Sequence, residues 1–379
     1  MIIMFLLIKT LKVYVMFKSW LNLFLLIMMV IWLLLNFLSL MTWSKNLLVN
    51  SMMIIIWLFF ISNSVSLLYI IYESIMLLMI LLIVGWGLNP YKFNAFMYLM
   101  AYSMLFSLPA MMVVLVNYQM LLTYNLMAKN LNVSVLSFIM LMMMFLVKMP
   151  VFFLHYWLPK AHVEASTTGS IILASGLLKL GSVGVFKIMN WGNFIKLSNY
   201  SFFVVGTFVM SLCCLFQTDF KKLIALTSVV HMNMSLTSIF YSSVSGLKSF
   251  TMINVIHSIS SFMLFYLAGM LMVFSKTRLV YLQMMLKFSL LFYLFMCAIF
   301  MNLSVPPFFS FMGELIYYSL VSVSNYIYLC LNLMILVISL MFSLLLVNNM
   351  SMKKIVKPML SSLMCLVLPS VMGVMLWLN

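Results

Sequence analysis

Acidic side chains are almost absent from this sequence. Glu73, Glu164, Asp219 and Glu314 are the only ones in 379 residues, and charged residues of both signs make up 6%. So little charge cannot cover a water-facing surface, which excludes a soluble globular domain. Arginine is scarcer still: Arg278 is alone among 20 basic residues. The net charge is +16, but the lysines are scattered between apolar runs. No basic cluster of the kind that grips phosphate backbones is present, so nucleic acid is not an expected partner. The five cysteines, Cys213, Cys214, Cys297, Cys330 and Cys365, all lie within apolar runs. That placement argues against a disulfide framework and against an iron–sulfur site. Only four histidines occur, too few and too scattered for a haem bundle. His155, His162 and Glu164 are near one another, but Pro159 interrupts the helical register and no HExxH is present, so no metal site is expected. No GxGxxG and no phosphate loop occurs, so no nucleotide is expected either.

Apolar residues are present in great excess, at 67%. A bilayer span needs about 20 of them in a row. Apolar segments lie at 2–17, 21–42, 47–61, 64–86, 95–116, 131–149, 169–189, 200–217, 223–242, 250–274, 286–323 (interrupted), 326–347 and 357–377. The sequence therefore predicts an all-α polytopic membrane protein with about thirteen transmembrane helices. The connections 118–130 and 150–168 have room for short interfacial helices. The 43 methionines fit a mitochondrial gene from an AU-rich genome. The N-terminal MIIMFLLIKTLKVYVMF has no small-residue cleavage site and is read as a first span. Loops after even-numbered segments carry Lys45, Lys92, Lys160, Lys221, Lys222, Lys276, Arg278, Lys287, Lys353, Lys354 and Lys357. Those after odd-numbered segments carry Lys18, Lys129, Lys187, Lys196 and Lys248. Eleven against five places the even loops on the matrix or cytoplasmic side.

The scarce titratable residues are therefore informative. Lys148 and Lys179 stand in apolar segments, where a central lysine costs about 2.5–3.5 kcal/mol. Pro150 follows Lys148, and Pro306-Pro307 precede Glu314. Proline breaks a helix, and broken backbone at membrane depth survives only where it is buried in protein or lines a wet cavity. Two such segments in two halves of a chain point to inverted repeats. Breaks are expected at 149–151 and 303–307. Glu73, with Tyr69 one turn before it, is expected to face Lys148 and to pair with it directly or through one water. Small residues around Lys179 (Ser175, Gly176, Gly181, Ser182, Gly184) allow either close helix approach or room for water. His231 stands in a polar stripe of Thr227, Ser228, Ser235 and Ser238. His257 stands in another, with Thr251, Asn254, Ser258 and Ser261. The stripes read as a hydrated line, in the order Lys148, Lys179, His231 or His257, then Glu314.

The block KMPVFFLHYWLPKAHVEASTTGSIILASGLLKLGSVG resembles the signature of the antiporter-like membrane subunits of respiratory NADH:ubiquinone oxidoreductase, complex I. FQTDFKKLIALTSVVHM and NLSVPPFFSFMGEL resemble two further motifs of that family, and the resemblance covers about residues 64–350. Glu314 points to one branch, since sibling subunits tend to carry lysine there. The resemblance implies fourteen helices with an inverted repeat of five and two broken helices. It implies proton-relay roles for Glu73, Lys148, Lys179, His231, His257 and Glu314. By the same resemblance, 1–63 holds N-terminal helices about one fewer than the family's, 64–350 the translocating core, and 351–379 a last helix. Ser166 stands where the family has proline. The chain is expected to carry no cofactor, with FMN, iron–sulfur clusters and ubiquinone in partner subunits. Expected partners are other complex I membrane-arm subunits, sibling antiporter-like subunits among them, and lipids such as cardiolipin. The expected location is the mitochondrial inner membrane. The alternative is a free-standing cation/proton antiporter subunit.

Overall fold

The computed structural model describes residues 28, 31–32, 43–62, 64–87, 89–116, 135–191, 201–241, 243–280, 289–306, 308–324 and 326–350. The expected segments 2–17 and 357–377, nearly all of 21–42, and the connection 118–130 lie outside them. The other ten of the thirteen segments are helical. They form α1 (Trp43–Ile61), α2 (Val65–Trp86), α3 (Lys92–Val116), α4 (Val135–Lys148) and α5 (Trp157–Glu164). Helix α6 runs from Thr167–Ile172 through a π turn, Leu173–Leu177, to Leu178–Trp191. Then come α7 (Ser201–Leu215), α8 (Phe220–Phe240), α9 (Val244–Ser275), α10 (Ser289–Asn302), α11 (Phe309–Ser324) and α12 (Tyr326–Met350). Seven of these are long and apolar enough to cross a membrane, while α4, α7, α10 and α11 are shorter apolar helices. Helices predominate because a lipid-facing backbone must satisfy its own hydrogen bonds. Among the described residues there is no strand, only an isolated bridge between Asp219 and Leu279.

The core is built around α9, 32 residues and about 48 Å long. It packs on α6, α8, α10 and α11. In the spans of α6 and α8, 94% of the apolar window is buried, against 28% in α3 and α12. The helices that carry Lys179, His231 and His257 are thus central, and α3 and α12 are peripheral. In chain order the helices fall into two runs of five units, α1 to α6 and α7 to α12, with the broken unit (α4/α5, α10/α11) fourth in each.

Three contacts check the sidedness inferred from loop charge. Phe220 N donates to Arg278 O and Val280 N to Thr218 O, joining two even-loop segments. Lys221 Nζ donates to Ala165 O, also an even-loop position. Lys187 Nζ bonds carbonyls at the end of α1, so two odd-numbered segments end together. The parity holds, but part of the count behind it does not. Lys187 and Lys221 are 7% and 3% exposed and are hydrogen-bonded inside the protein, so neither acts as a loop charge. Lys248, like Lys45, Lys92, Lys160 and Lys222, stands in the first two turns of a helix and not in a loop.

Both breaks fall where proline placed them, and the first extends from Met149 to Tyr156. In a continuous helix Val147 O would accept from Val151 N, which instead bonds Met149 O. The freed carbonyl is taken by Trp157 Nε1 at 3.0 Å, so α5 is stitched back to α4. Phe153, at φ 73°, turns the chain between them. Trp157→Phe should leave Val147 O buried and unpaired, at a cost of about 1–3 kcal/mol. The check is an earlier thermal inactivation of the purified assembly; an unchanged midpoint would refute the stitch. At the second break Pro306 has no N–H to offer Asn302 O. Ser304, at φ 52°, makes the turn.

Candidate functional site

Four of the six residues singled out by the sequence form a line of contacts through the core. Lys179 follows the π turn and is 0% exposed. Its ammonium donates to Ala174 O at 3.2 Å and contacts Nδ1 of His257 on α9. The His257 ring lies 5.8 Å, centroid to centroid, from that of His231 on α8. His231 Nδ1 is 3.6 Å from Glu314 Oε1 on α11. Glu314 Oε2 accepts from Ser304 Oγ at 2.6 Å and from Tyr318 OH at 3.5 Å. The turn at the second break therefore aims Ser304 at the carboxylate. The sequence left open which histidine comes first; in the structure His257 touches the lysine and His231 the glutamate. Two empty spaces flank the end of the line. One is lined by His257, Ser260 and Ser310, the other by Thr227, Ser304, Tyr318 and Ser339. His231, Asn302 and Glu314 line both.

The other two residues do not meet as directly as expected. Lys148 is 2% exposed, and its ammonium lies 3.6 Å from the centre of the Tyr72 ring. Neither Lys148 Nζ nor Glu73 Oε1 has a hydrogen-bond partner. Among the described residues the ion pairs are Lys222–Asp219 and His231–Glu314, so no direct Glu73–Lys148 pair forms. Tyr72 stands under the ammonium because its hydroxyl is anchored on Met144 O at 2.8 Å and its ring packs on Phe145. A desolvated cation over a ring gains about 2 kcal/mol, which offsets part of the burial cost.

The small residues near Lys179 resolve mainly toward close packing. A Cβ on Gly181 would stand 2.9 Å from Met149 N, and one on Gly184 would enter the Phe145 ring. The polar stripes also differ from expectation. Thr227, Ser228, Ser235 and Ser238 each donate to the carbonyl three residues back, on their own helix. Ser258 and Ser261 do the same on α9. Their protons are engaged, and what they offer the line is acceptor oxygens.

Sequence reasoning undervalued three residues. His162 is 0% exposed, stacks on Phe265 at 4.4 Å between ring centres, and has both nitrogens unpartnered. Lys221 and Lys187 were read as loop charges. A lysine near the end of an apolar run gives no sign of whether it turns inward. Among the described residues no three of His, Cys, Asp and Glu converge as a metal site would require.

Comparison with known proteins places the chain. The family profile described as NADH:quinone oxidoreductase/Mrp antiporter, TM, matches residues 62–343. NADH-ubiquinone oxidoreductase chain 4 of Artemia franciscana is 32% identical over 270 residues, 71% of this chain and 70% of its own length. The protein of the same name from Caenorhabditis elegans is 34% identical over 255 residues, 66% of this chain and 61% of its own length. The chain thus spans between six and seven tenths of these curated relatives. A chain of respiratory complex I from Thermus thermophilus superposes with TM-score 0.82 at 19% identity, covering 94% of this chain and 80% of that one. A chain of the Mrp complex from Dietzia sp. superposes with TM-score 0.84 at 13% identity, covering 95% and 80%. With a family profile matched over most of its length and relatives at this identity, the chain belongs to the NADH:quinone oxidoreductase/Mrp antiporter family of membrane proteins.

Proposed function

We infer that the chain is a proton-translocating membrane-arm subunit of respiratory NADH:ubiquinone oxidoreductase. The observation that carries this is the run of contacts Lys179–His257–His231–Glu314 through the buried helices of a chain whose relatives are named chain 4 of that enzyme. Each contact joins a group that can hold a proton to one that can take it. Lys179 releases a proton to Nδ1 of His257, and the imidazole passes one on from its other nitrogen. The gap between the two rings closes by ring rotation or through one water. His231 delivers to Glu314, which stands between the two flanking spaces and releases to the far side. Lys148 and Glu73 act upstream. When Lys148 is charged, the Glu73 field and the Tyr72 ring hold it; when that field changes, the proton moves to Lys179.

The driving chemistry lies elsewhere in the assembly. FMN, iron–sulfur clusters and ubiquinone belong to partner subunits, and this chain has no redox site of its own. It sits in the mitochondrial inner membrane beside other membrane-arm subunits, including antiporter-like siblings, and among lipids such as cardiolipin. A free-standing cation/proton antiporter subunit is the second reading, favoured only by the similar fold of the Mrp complex chain. Affinity purification from native membranes separates the two: flavin and iron–sulfur subunits accompany a complex I subunit and are absent from an antiporter. In the purified, reconstituted assembly, Glu73→Gln should keep NADH oxidation and lower the protons moved per electron. An unchanged ratio would remove Glu73 from the mechanism.

A further inference from the structure

Lys187 was counted as a loop charge, yet it is one of the most fully bonded side chains in the protein. Its ammonium donates to Phe59 O at 2.9 Å, Phe60 O at 3.0 Å and Ser62 O at 2.6 Å. An ammonium has three donors, and all three are used. The acceptors lie at the C-terminus of α1 and in the elbow that leads to α2. The last four carbonyls of a helix have no partner within it, and that end carries partial negative charge. Helix α1 has no basic residue in its own last turn. Leu58 O is capped by Ser62 N, and Phe59 O also accepts from Ser62 Oγ. Lys187, reaching across from α6, completes the cap.

The clamp is placed where it sets a depth. Lys179 lies 187 − 179 = 8 residues from Lys187 along α6, about 12 Å at 1.5 Å per residue. Glu73 lies 73 − 65 = 8 residues from the start of α2 at the elbow, again about 12 Å. Fixing the Lys187 head group on the elbow therefore brings Lys179 and Glu73 to the same level in the membrane. A π turn lies immediately before Lys179. There the helical register is already shifted, and such π turns are frequent at functional sites. The clamp also continues toward Lys148 through aromatic rings. Lys187 Nζ is 5.5 Å from the Phe59 ring centre, Phe59 is 6.1 Å from Phe145, and Phe145 is 5.3 Å from Tyr72. Tyr72 carries the Lys148 ammonium.

We propose that Lys187 is a positioning residue: clamped on the α1–α2 elbow, it holds Lys179 level with Glu73 and the Tyr72 ring under Lys148, without itself relaying protons. This rests on the proton-translocating reading above. A misplacement of about 1 Å can slow a transfer 10²-fold, so the clamp governs coupling more than folding. The test uses the complete assembly in proteoliposomes, comparing Lys187→Met, Lys187→Arg and Lys179→Met for protons moved per electron. Lys187→Met should oxidise NADH with the ratio lowered to that of Lys179→Met. Lys187→Arg, whose guanidinium can reach the same carbonyls, should restore it. Amide hydrogen exchange over 62–68 should rise in Lys187→Met and not in Lys187→Arg. A normal ratio in Lys187→Met beside a lowered one in Lys179→Met overturns the clamp and leaves the relay standing. A normal ratio in Lys179→Met overturns the relay and the clamp with it. If neither Lys187→Met nor Lys187→Gln assembles, Lys187 is a folding residue and the proposal fails.

Discussion

Replacing Lys179 with methionine should yield an assembly that oxidises NADH but moves fewer protons per electron. Methionine keeps most of the bulk and deletes the ammonium that contacts His257 Nδ1 and donates to Ala174 O. The packing around it is apolar and tight, and a thioether suits such a site better than a charge does. Folding should therefore survive. Proton transfer should not, because the next group in line is an imidazole with nothing upstream to protonate it. Loss of a positioned proton donor costs about 10²–10⁴-fold in the transfer step. The measurement is the proton-to-electron ratio in proteoliposomes, with subunit content checked by mass spectrometry. A full ratio from an intact Lys179→Met assembly would exclude Lys179 as an obligatory relay.

Glu314→Gln should act at the other end. The glutamine carbonyl can still accept from Ser304 Oγ and Tyr318 OH, so the turn at the second break keeps its contacts. What disappears is the capacity to take a proton from His231 and release it again. The ratio should fall as far as in Lys179→Met, and combining the two substitutions should lower it no further, since both interrupt one line. Additive losses would mean two separate paths. A steep loss of assembly in Glu314→Gln alone would mean that the carboxylate is structural, held by its negative charge against His231.

The parts of this chain that were legible in its sequence are those that lipid makes costly. Long apolar runs admit one backbone solution, so all ten described segments became helices. Pro150 and Pro306 cannot complete a helix, so both breaks could be located. Lys179, His231, His257 and Glu314 stood out because a titratable group in such a setting needs a reason. What stayed hidden depends on direction around a helix axis. Tyr72, adjacent to Glu73 in the chain, is the ring that meets Lys148, and nothing in the residue pattern marked it out. Whether Lys187 points outward or into the α1 elbow is not encoded in its own helix. The π turn has no composition that marks it. The serine stripes were read as open hydroxyls, because back-bonding to the carbonyl three residues earlier depends on a χ1 angle that no pattern of residue types displays.

The hydrogen bond from Ser304, in the turn of the second break, to Glu314 has a consequence for leakage. A pump works against a membrane potential, where each 100 mV drives a returning charge with about 2.3 kcal/mol. Any group that turned freely between two chambers would short-circuit that potential. Glu314 lines both spaces and cannot turn without abandoning the Ser304 hydroxyl that the break aims at it, and a bond to a charged group contributes about 1.5–3 kcal/mol. On the proton-translocating reading, the break between α10 and α11 supplies a detent for the carboxylate, which rests on Ser304 and leaves it only when a proton changes what it can bond. A proline that looks like a flaw in a membrane helix would, on that reading, make the passage behave as a ratchet.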